Sequence, residues 1–376
     1  MIRLALLLAV FPLAACPVTQ PPPAANTEAR AAMLRATASC LQSELEAFEA
    51  KADQLVVAVG GSDGDAARAA WREAMTQWEV LELMQVGPAA SAMSPGGKGL
   101  RDAVYAWPLT TRCVLEEALV AKSYEGDLSR QLVNRRTLAA LEYLLFSADT
   151  QTACPASSSI VSSGSWAALS ADELAARRLA YARAAALDVK AQTHALVDLW
   201  RNGFTQALAE PGTGNRYFMT QQSALNAVSD ALFYFDKQTK DAKLAGPLGL
   251  AKASCATPPC LEALELPNAR HDTQALRANL IGFRKIVQGC GPGYSGSAFD
   301  DLLIAAGATS LEGRLKERLE TAQTSFDAAP PLHEALSSPT ARGLYDDVKA
   351  VTDLLKSEFI TVLDLELPTS LEGDND

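Results

Sequence analysis

The sequence is poor in the side chains from which most active sites are assembled. It holds 3 histidines in 376 residues, His194, His271 and His333, too far apart to form a His-Glu-x-x-His zinc motif. A Gly-x-Ser-x-Gly elbow, a phosphate-cradling glycine loop and a dinucleotide fingerprint are also absent. No nucleophile or metal centre is therefore nominated by motif. Aromatic residues make up only 6% of the chain, and no useful length of period-2 alternation occurs, which argues against strands. Positive charge is in deficit: 33 Lys and Arg against 44 Asp and Glu leave a formal charge of −11, which disfavours nucleic acid and anionic lipid as direct partners. The longest N-terminal apolar run, Leu4 to Phe11, is too short to cross a bilayer.

What is present is alanine and leucine at helical spacing. The pattern predicts an all-α fold. A chain of 376 residues is longer than one core usually supports, so two antiparallel helical bundles are expected, over residues 30–210 and 215–365, separated by the turn-rich Glu210 to Asn215. Helices are predicted over Thr27 to Val59, Asp65 to Met84, Leu100 to Val120, Arg135 to Phe146 and Ala171 to Phe204. Further helices are predicted over Thr220 to Lys240, Asp272 to Val287, Ala298 to Ala306, Leu311 to Ala328 and Pro339 to Val362. Trp71, Met75 and Trp78 form a stripe read as core, and Glu82 lies another turn along. Pro108 should kink or restart the helix it falls in.

The first 16 residues explain export. A short positive start, an apolar run and Leu13-Ala14-Ala15-Cys16 make a signal peptide. Its ending resembles the bacterial lipobox, which implies cleavage before Cys16 and acylation of that residue. Pro17 follows in place of Asp, so the usual inner-membrane retention signal is absent. The expected location is periplasmic, anchored in the outer membrane as a lipoprotein, or the cell surface. Residues 17–29, with Pro21-Pro22-Pro23, are read as a stiff tether, and residues 366–376 as an acidic tail.

Besides Cys16 there are six cysteines: Cys40, Cys113, Cys154, Cys255, Cys260 and Cys290. An even number in an oxidising compartment points to disulfides, with roughly 15 pairings open. Proximity favours Cys113 with Cys154 and a local link among Cys255, Cys260 and Cys290. None has the Cys-x-x-Cys spacing of a zinc site.

The stretch that bears on function is Arg135 to Phe146. Leu138, Leu141 and Leu145 mark a core-facing stripe, and Ala139, Glu142 and Phe146 the adjacent one. Glu142 is thus a carboxylate at or inside the buried face, where it must find a cation, donors, a metal or a proton. Arg135, two turns earlier if the helix is continuous, is the local candidate partner. A structural ion pair accounts for such a residue as readily as a site does. The lone His194 on its helix is read as structural.

Several blocks in order resemble the imelysin family of bacterial helical proteins. They are Trp71-x6-Trp78 running to Gly87-Pro88-Ala89, Leu100-Arg101-Asp102 with Trp107-Pro108-Leu109 and Cys113, and Ala140-Leu141-Glu142-Tyr143-Leu144-Leu145-Phe146. In the second half they are Lys243-Leu244-Ala245-Gly246-Pro247-Leu248-Gly249 and Arg277-Ala278-Asn279-Leu280-x-Gly282-Phe283. The resemblance implies two helical bundles, an association with iron uptake, and a site near their interface built on Gly-x-His-x-x-Glu. Here Glu142 matches the Glu, while Ala139 stands where the His would be and Thr137 where the Gly would be. One hard oxygen donor cannot hold zinc tightly. The reading that follows is a non-enzymatic lipoprotein that binds a ligand or partner in iron or metal acquisition. Glu142, Arg135, Trp107 and Arg112 are its candidate site residues, iron or another divalent ion its candidate cofactor, and metal-uptake or surface proteins its candidate partners. The alternative is a metallopeptidase in which His271 or Asp272 converges on Glu142.

Overall fold

The computed structural model describes residues 23–250 and 255–368. The signal peptide, Cys16 and residues 369–376 of the acidic tail lie outside them. No strand occurs among the described residues.

Helix α1 (Pro23–Gly60) begins inside the segment expected to be an extended tether. A proline in the first helical turn has no partner to lose, because the opening N–H groups are unpaired in any helix. Leu34, Leu41, Leu45, Phe48 and Leu55 of α1 are all buried. Helix α2 (Gly64–Glu82) starts at an Asp63 cap, whose Oδ1 accepts from the N–H groups of Asp65 and Ala66 at 2.9 and 3.1 Å. Its inward stripe of Trp71, Met75 and Trp78 is buried as expected, with Glu79 and Glu82 buried beside it.

The helix predicted over Leu100 to Val120 is two, α3 (Leu100–Val104) and α4 (Arg112–Ala121). The intervening loop carries a cis Trp107-Pro108 peptide bond, and Thr111 caps α4 by accepting from Val114 N–H at 3.4 Å. The next helix, α5 (Leu138–Phe146), also starts later than predicted, because Val133–Arg135 forms a separate 3-10 turn. Trp71 seats α5 on α2: its indole N–H donates to the Leu138 carbonyl at 3.0 Å, and its ring meets Phe146 edge-on at 5.1 Å. Long α6 (Ala171–Leu199) packs on both α1 and α5.

In the second half, α7 (Gln221–Leu232) leads into Phe235–Ala245, a run of wider turns in which Gly246 N–H reaches back five residues to the Asp241 carbonyl. Helices α8 (Asp272–Gln288), α9 (Phe299–Ala305), α10 (Thr309–Ala328) and α11 (Pro339–Leu354) follow. The two halves share one apolar core, since α2 packs against both α1 and α8. The α2–α8 crossing is tight at Gly282, where a Cβ would lie 2.1 Å from the Val80 carbonyl oxygen.

Among the described residues three disulfides form: Cys40 with Cys290, Cys113 with Cys154, and Cys255 with Cys260. The second is the pair favoured by proximity, and the local link is Cys255–Cys260. Cys290 instead crosses to α1, because α9 and the turn after α8 fold back on the first helix.

Candidate functional site

A cleft of about 470 Å³ opens where the 105–111 loop, the start of α4, one face of α5 and residues 262–268 meet. Tyr105, Trp107, Pro108, Leu115, Tyr143, Leu264 and Leu266 give it a mostly apolar wall, into which Arg112, Glu142, Glu262 and Asn268 introduce polarity. Ala139 also lines it, so the missing imidazole at this position leaves open space.

The structure brings Glu142, Trp107 and Arg112 to this one cleft and leaves Arg135 outside it. Glu142 is buried at its edge, and its partners come from the far half of the chain. Asn268 N–H donates to Oε1 at 2.6 Å, Ala269 N–H to Oε1 at 2.8 Å and the Asn268 amide to Oε2 at 2.8 Å. Burial pushes this carboxyl above the usual carboxylate range, and the three donors oppose the shift without cancelling it. Arg135 is not the partner. It ends the 3-10 turn before α5, so the two-turn spacing to Glu142 never arises, and its guanidinium lies 4.0 Å from Glu117. Arg112 is anchored by Glu116 at 2.6 Å, Asp149 at 2.7 Å and the Gln151 carbonyl.

His271 and Asp272 do not join Glu142. His271 Nε2 lies 2.8 Å from Thr76 Oγ1, and burial, with Arg72 nearby, lowers its pKa to about 4. Asp272 accepts from the Thr273 and Leu332 N–H groups and pairs with His333 Nδ1 at 2.6 Å. Both side chains are committed elsewhere.

Directly behind the cleft lies a charge cluster that sequence reasoning missed. Lys243, delivered by the wide-turned segment, is 1% exposed. Its ammonium lies 2.6 Å from Glu79 Oε2, 2.6 Å from Glu82 Oε2 and 3.0 Å from Glu265 Oε1. Arg101 adds a second cation at 2.5 Å from Glu82 Oε1 and also donates to Tyr234 at 3.0 Å. Tyr105 belongs to both regions, lining the cleft while its hydroxyl donates to Glu265 at 2.6 Å. Trp107 likewise lines the cleft and has Lys243 Nζ 5.9 Å from its ring centroid.

Charge balance assigns one proton here. Three carboxylates against Lys243 and Arg101 would leave an uncompensated negative charge in the interior. Burial and the neighbouring Glu265 raise Glu79 well above the carboxylate range, whereas Lys243 and Arg101 overcome burial at Glu82 and hold it at about 2. Burial raises Glu265 as well, with Lys243 opposing it, so the tendency to hold a proton lies with Glu79 and Glu265 and not with Glu82. The Asn279 amide donates to Glu79 Oε2 at 2.7 Å.

The 262–268 strap is fastened at two points, by Glu265 to this cluster and by Asn268 to Glu142. Leu266 and Arg270 in and beside it adopt φ of 55° and 50°, left-handed values that cost non-glycine residues about 1 kcal/mol or more. The two buried carboxylates supply the interactions that hold this strained backbone in place.

Among the described residues, two trios of His, Cys, Asp or Glu have donor atoms within 4.8 Å of one another: Glu79, Glu82 and Glu265, and Cys113, Glu117 and Cys154. The sulfurs of the latter are bonded to each other. Glu142 belongs to neither.

These features define an all-helical protein with a small-molecule-sized cleft beside a buried charge cluster. The chain belongs to the imelysin family: the family model described as Imelysin, Peptidase M75, matches residues 33–357. Its fold is similar to that of an iron-regulated protein A precursor from Parabacteroides distasonis ATCC 8503, with TM-score 0.65 and 14% identity over 91% of this chain and 97% of that one. It is also similar to an imelysin-like protein from Psychrobacter arcticus 273-4, with TM-score 0.64 and 17% identity over 93% of this chain and 100% of that one. No curated protein matches the sequence.

Proposed function

We propose that this protein is an exported lipoprotein, anchored through Cys16, that binds a small ligand in the cleft as a non-enzymatic component of iron or metal acquisition. The observation that carries the binding role is the cleft itself: about 470 Å³, largely apolar and aromatic, with its motif carboxylate already engaged by three donors. A carboxylate whose two oxygens are both taken up by donors is badly placed to coordinate a metal. Ala139 supplies space where an imidazole would supply a ligand. The iron setting is supported by the description of the Parabacteroides structure as an iron-regulated protein. The lipid anchor rests on the Leu-Ala-Ala-Cys sequence.

The test is fluorescence titration of the full-length chain with anilinonaphthalene sulfonate as cleft probe, beside Ala139→Phe, which fills the cleft. One saturable site, lost in the variant, is expected. Equal binding by both proteins would overturn the cleft assignment. Peptide hydrolysis abolished by Glu142→Gln would overturn the non-enzymatic reading in favour of a metallopeptidase. Radiolabelled palmitate should enter the native chain and not Cys16→Ala, and abundance should rise on iron starvation.

A further inference from the structure

A second cavity, of about 300 Å³, lies where the α1–α2 turn, the end of α5 and the first turns of α6 meet, and it shares no lining residue with the cleft. Val59, Ala67, Leu144, Leu145 and Leu179 make its wall largely apolar, and Arg68 and Arg178 line it as well. Arg178 is only 5% exposed, yet no carboxylate among the described residues lies within 4.0 Å of its guanidinium. Its Nη2 donates to two neutral oxygens, the Tyr143 hydroxyl at 3.2 Å and the Asp149 carbonyl, and its Nε–H has no acceptor. Glu116 and the Asp149 carboxylate are both paired with Arg112, at 2.6 and 2.7 Å. A buried guanidinium without a counter-charge is strongly unfavourable, so an anion that enters the space beside it is stabilised.

We propose that this cavity binds a short aliphatic monocarboxylate, its carboxylate on Arg178 and its alkyl chain against Val59, Leu144, Leu145 and Leu179. The fork of a guanidinium matches the two oxygens of a carboxylate. Charge selects a monoanion. Arg68 is already answered by the exposed Asp65 at 2.6 Å, which leaves Arg178 as the cation without a counter-ion, and Asp63 on the same wall disfavours a second negative charge. The start of α2 is not the anion's partner, because Asp63 Oδ1 occupies the N–H groups of Asp65 and Ala66. Volume limits the chain: about 300 Å³ is the lower end of the range for ligand cavities.

This site is independent of the ligand proposed for the cleft. Sodium octanoate is the probe, titrated calorimetrically into the full-length chain, with octan-1-ol and octyl phosphate for comparison and circular dichroism to report folding. One saturable octanoate site is expected, with octanol and octyl phosphate each bound about tenfold or more weakly. Ala175→Phe, at an exposed position on the cavity wall, should abolish binding, whereas the cleft-filling Ala139→Phe should leave it unchanged. Arg178→Gln should weaken it about tenfold or more, and Arg178→Lys, which keeps the charge without the fork, by less. Absence of octanoate binding, equal binding of octanol, or a folded Arg178→Gln that binds as the native chain does would overturn the site. Loss of binding in Ala139→Phe with retention in Ala175→Phe would move the anion to the cleft and overturn it equally, and tighter binding of octyl phosphate would overturn the carboxylate as its ligand. If Arg178→Gln does not fold, octanol and Ala175→Phe decide the matter, since neither alters the guanidinium.

Discussion

Asn268 holds Glu142 twice, by its backbone N–H at 2.6 Å and its side-chain amide at 2.8 Å, across 126 residues of sequence. The carboxylate is thus a clasp between α5 and the strap that walls the cleft. Glu142→Ala removes the acceptor for the Asn268 and Ala269 N–H groups and should cost roughly 2–4 kcal/mol. Hydrogen exchange at those two amides should accelerate. Glu142→Gln keeps one oxygen for both and should cost less, so equal losses in denaturant unfolding of the two variants would contradict the clasp.

Glu79 and Glu82 should respond differently to the same substitution. Burial pushes Glu79 well towards its neutral form, so Glu79→Gln should change stability by no more than about 1 kcal/mol. Glu82→Gln strips the charge that faces both Lys243 and Arg101 and should cost about 3–5 kcal/mol. Urea melts at neutral pH give the comparison directly. A reversed order would mean that the proton resides on Glu82.

His271 makes stability depend on pH. Its folded pKa of about 4 lies below the 6.5 of an unperturbed imidazole, so between those values the unfolded chain binds a proton that the folded chain refuses. The His271 contribution is therefore intact above about pH 6.5 and is lost as pH falls towards 4, by roughly 3 kcal/mol at the end of the window. The native chain should lose more stability over this interval than His271→Gln does. Parallel profiles would refute the assignment.

Gly282→Ala should separate α2 from α8. The new methyl group would meet the Val80 carbonyl oxygen at 2.1 Å, a backbone atom that cannot rotate aside. A loss of about 1–3 kcal/mol is expected from Tm. An unchanged melting temperature would show that the crossing has slack.

Local periodicity foretold what depends on local periodicity. The leucine stripe of α1, the tryptophan stripe of α2 and the all-α class are all read from residues three, four and seven apart, and the structure buries them as read. Predictions failed where a boundary was silent. The restart expected at Pro108 does divide Leu100 to Val120 into α3 and α4, but nothing marks Tyr105 as the end of α3, and the 3-10 turn at Val133–Arg135 removed Arg135 from the helix that was to bring it to Glu142. Glu142 itself was legible as a buried carboxylate, but its partners Asn268 and Ala269 were not, because no local spacing encodes a contact between distant segments. The Lys243 cluster has the same character, with Glu79 and Lys243 separated by 164 residues. Its signal was present in the sequence as Glu79 and Glu82 on the tryptophan face of α2, two acids where a core stripe wants none.

The Cys40–Cys290 bond joins residues 250 apart and encloses the segments that form the cleft and the buried charge cluster. A single backbone cut anywhere between those cysteines leaves both pieces in one covalent molecule. A protease that nicks the Glu210 to Asn215 turn would therefore yield no smaller species on a non-reducing gel and two fragments after thiol treatment. Such a chain tolerates a scission without shedding half of itself.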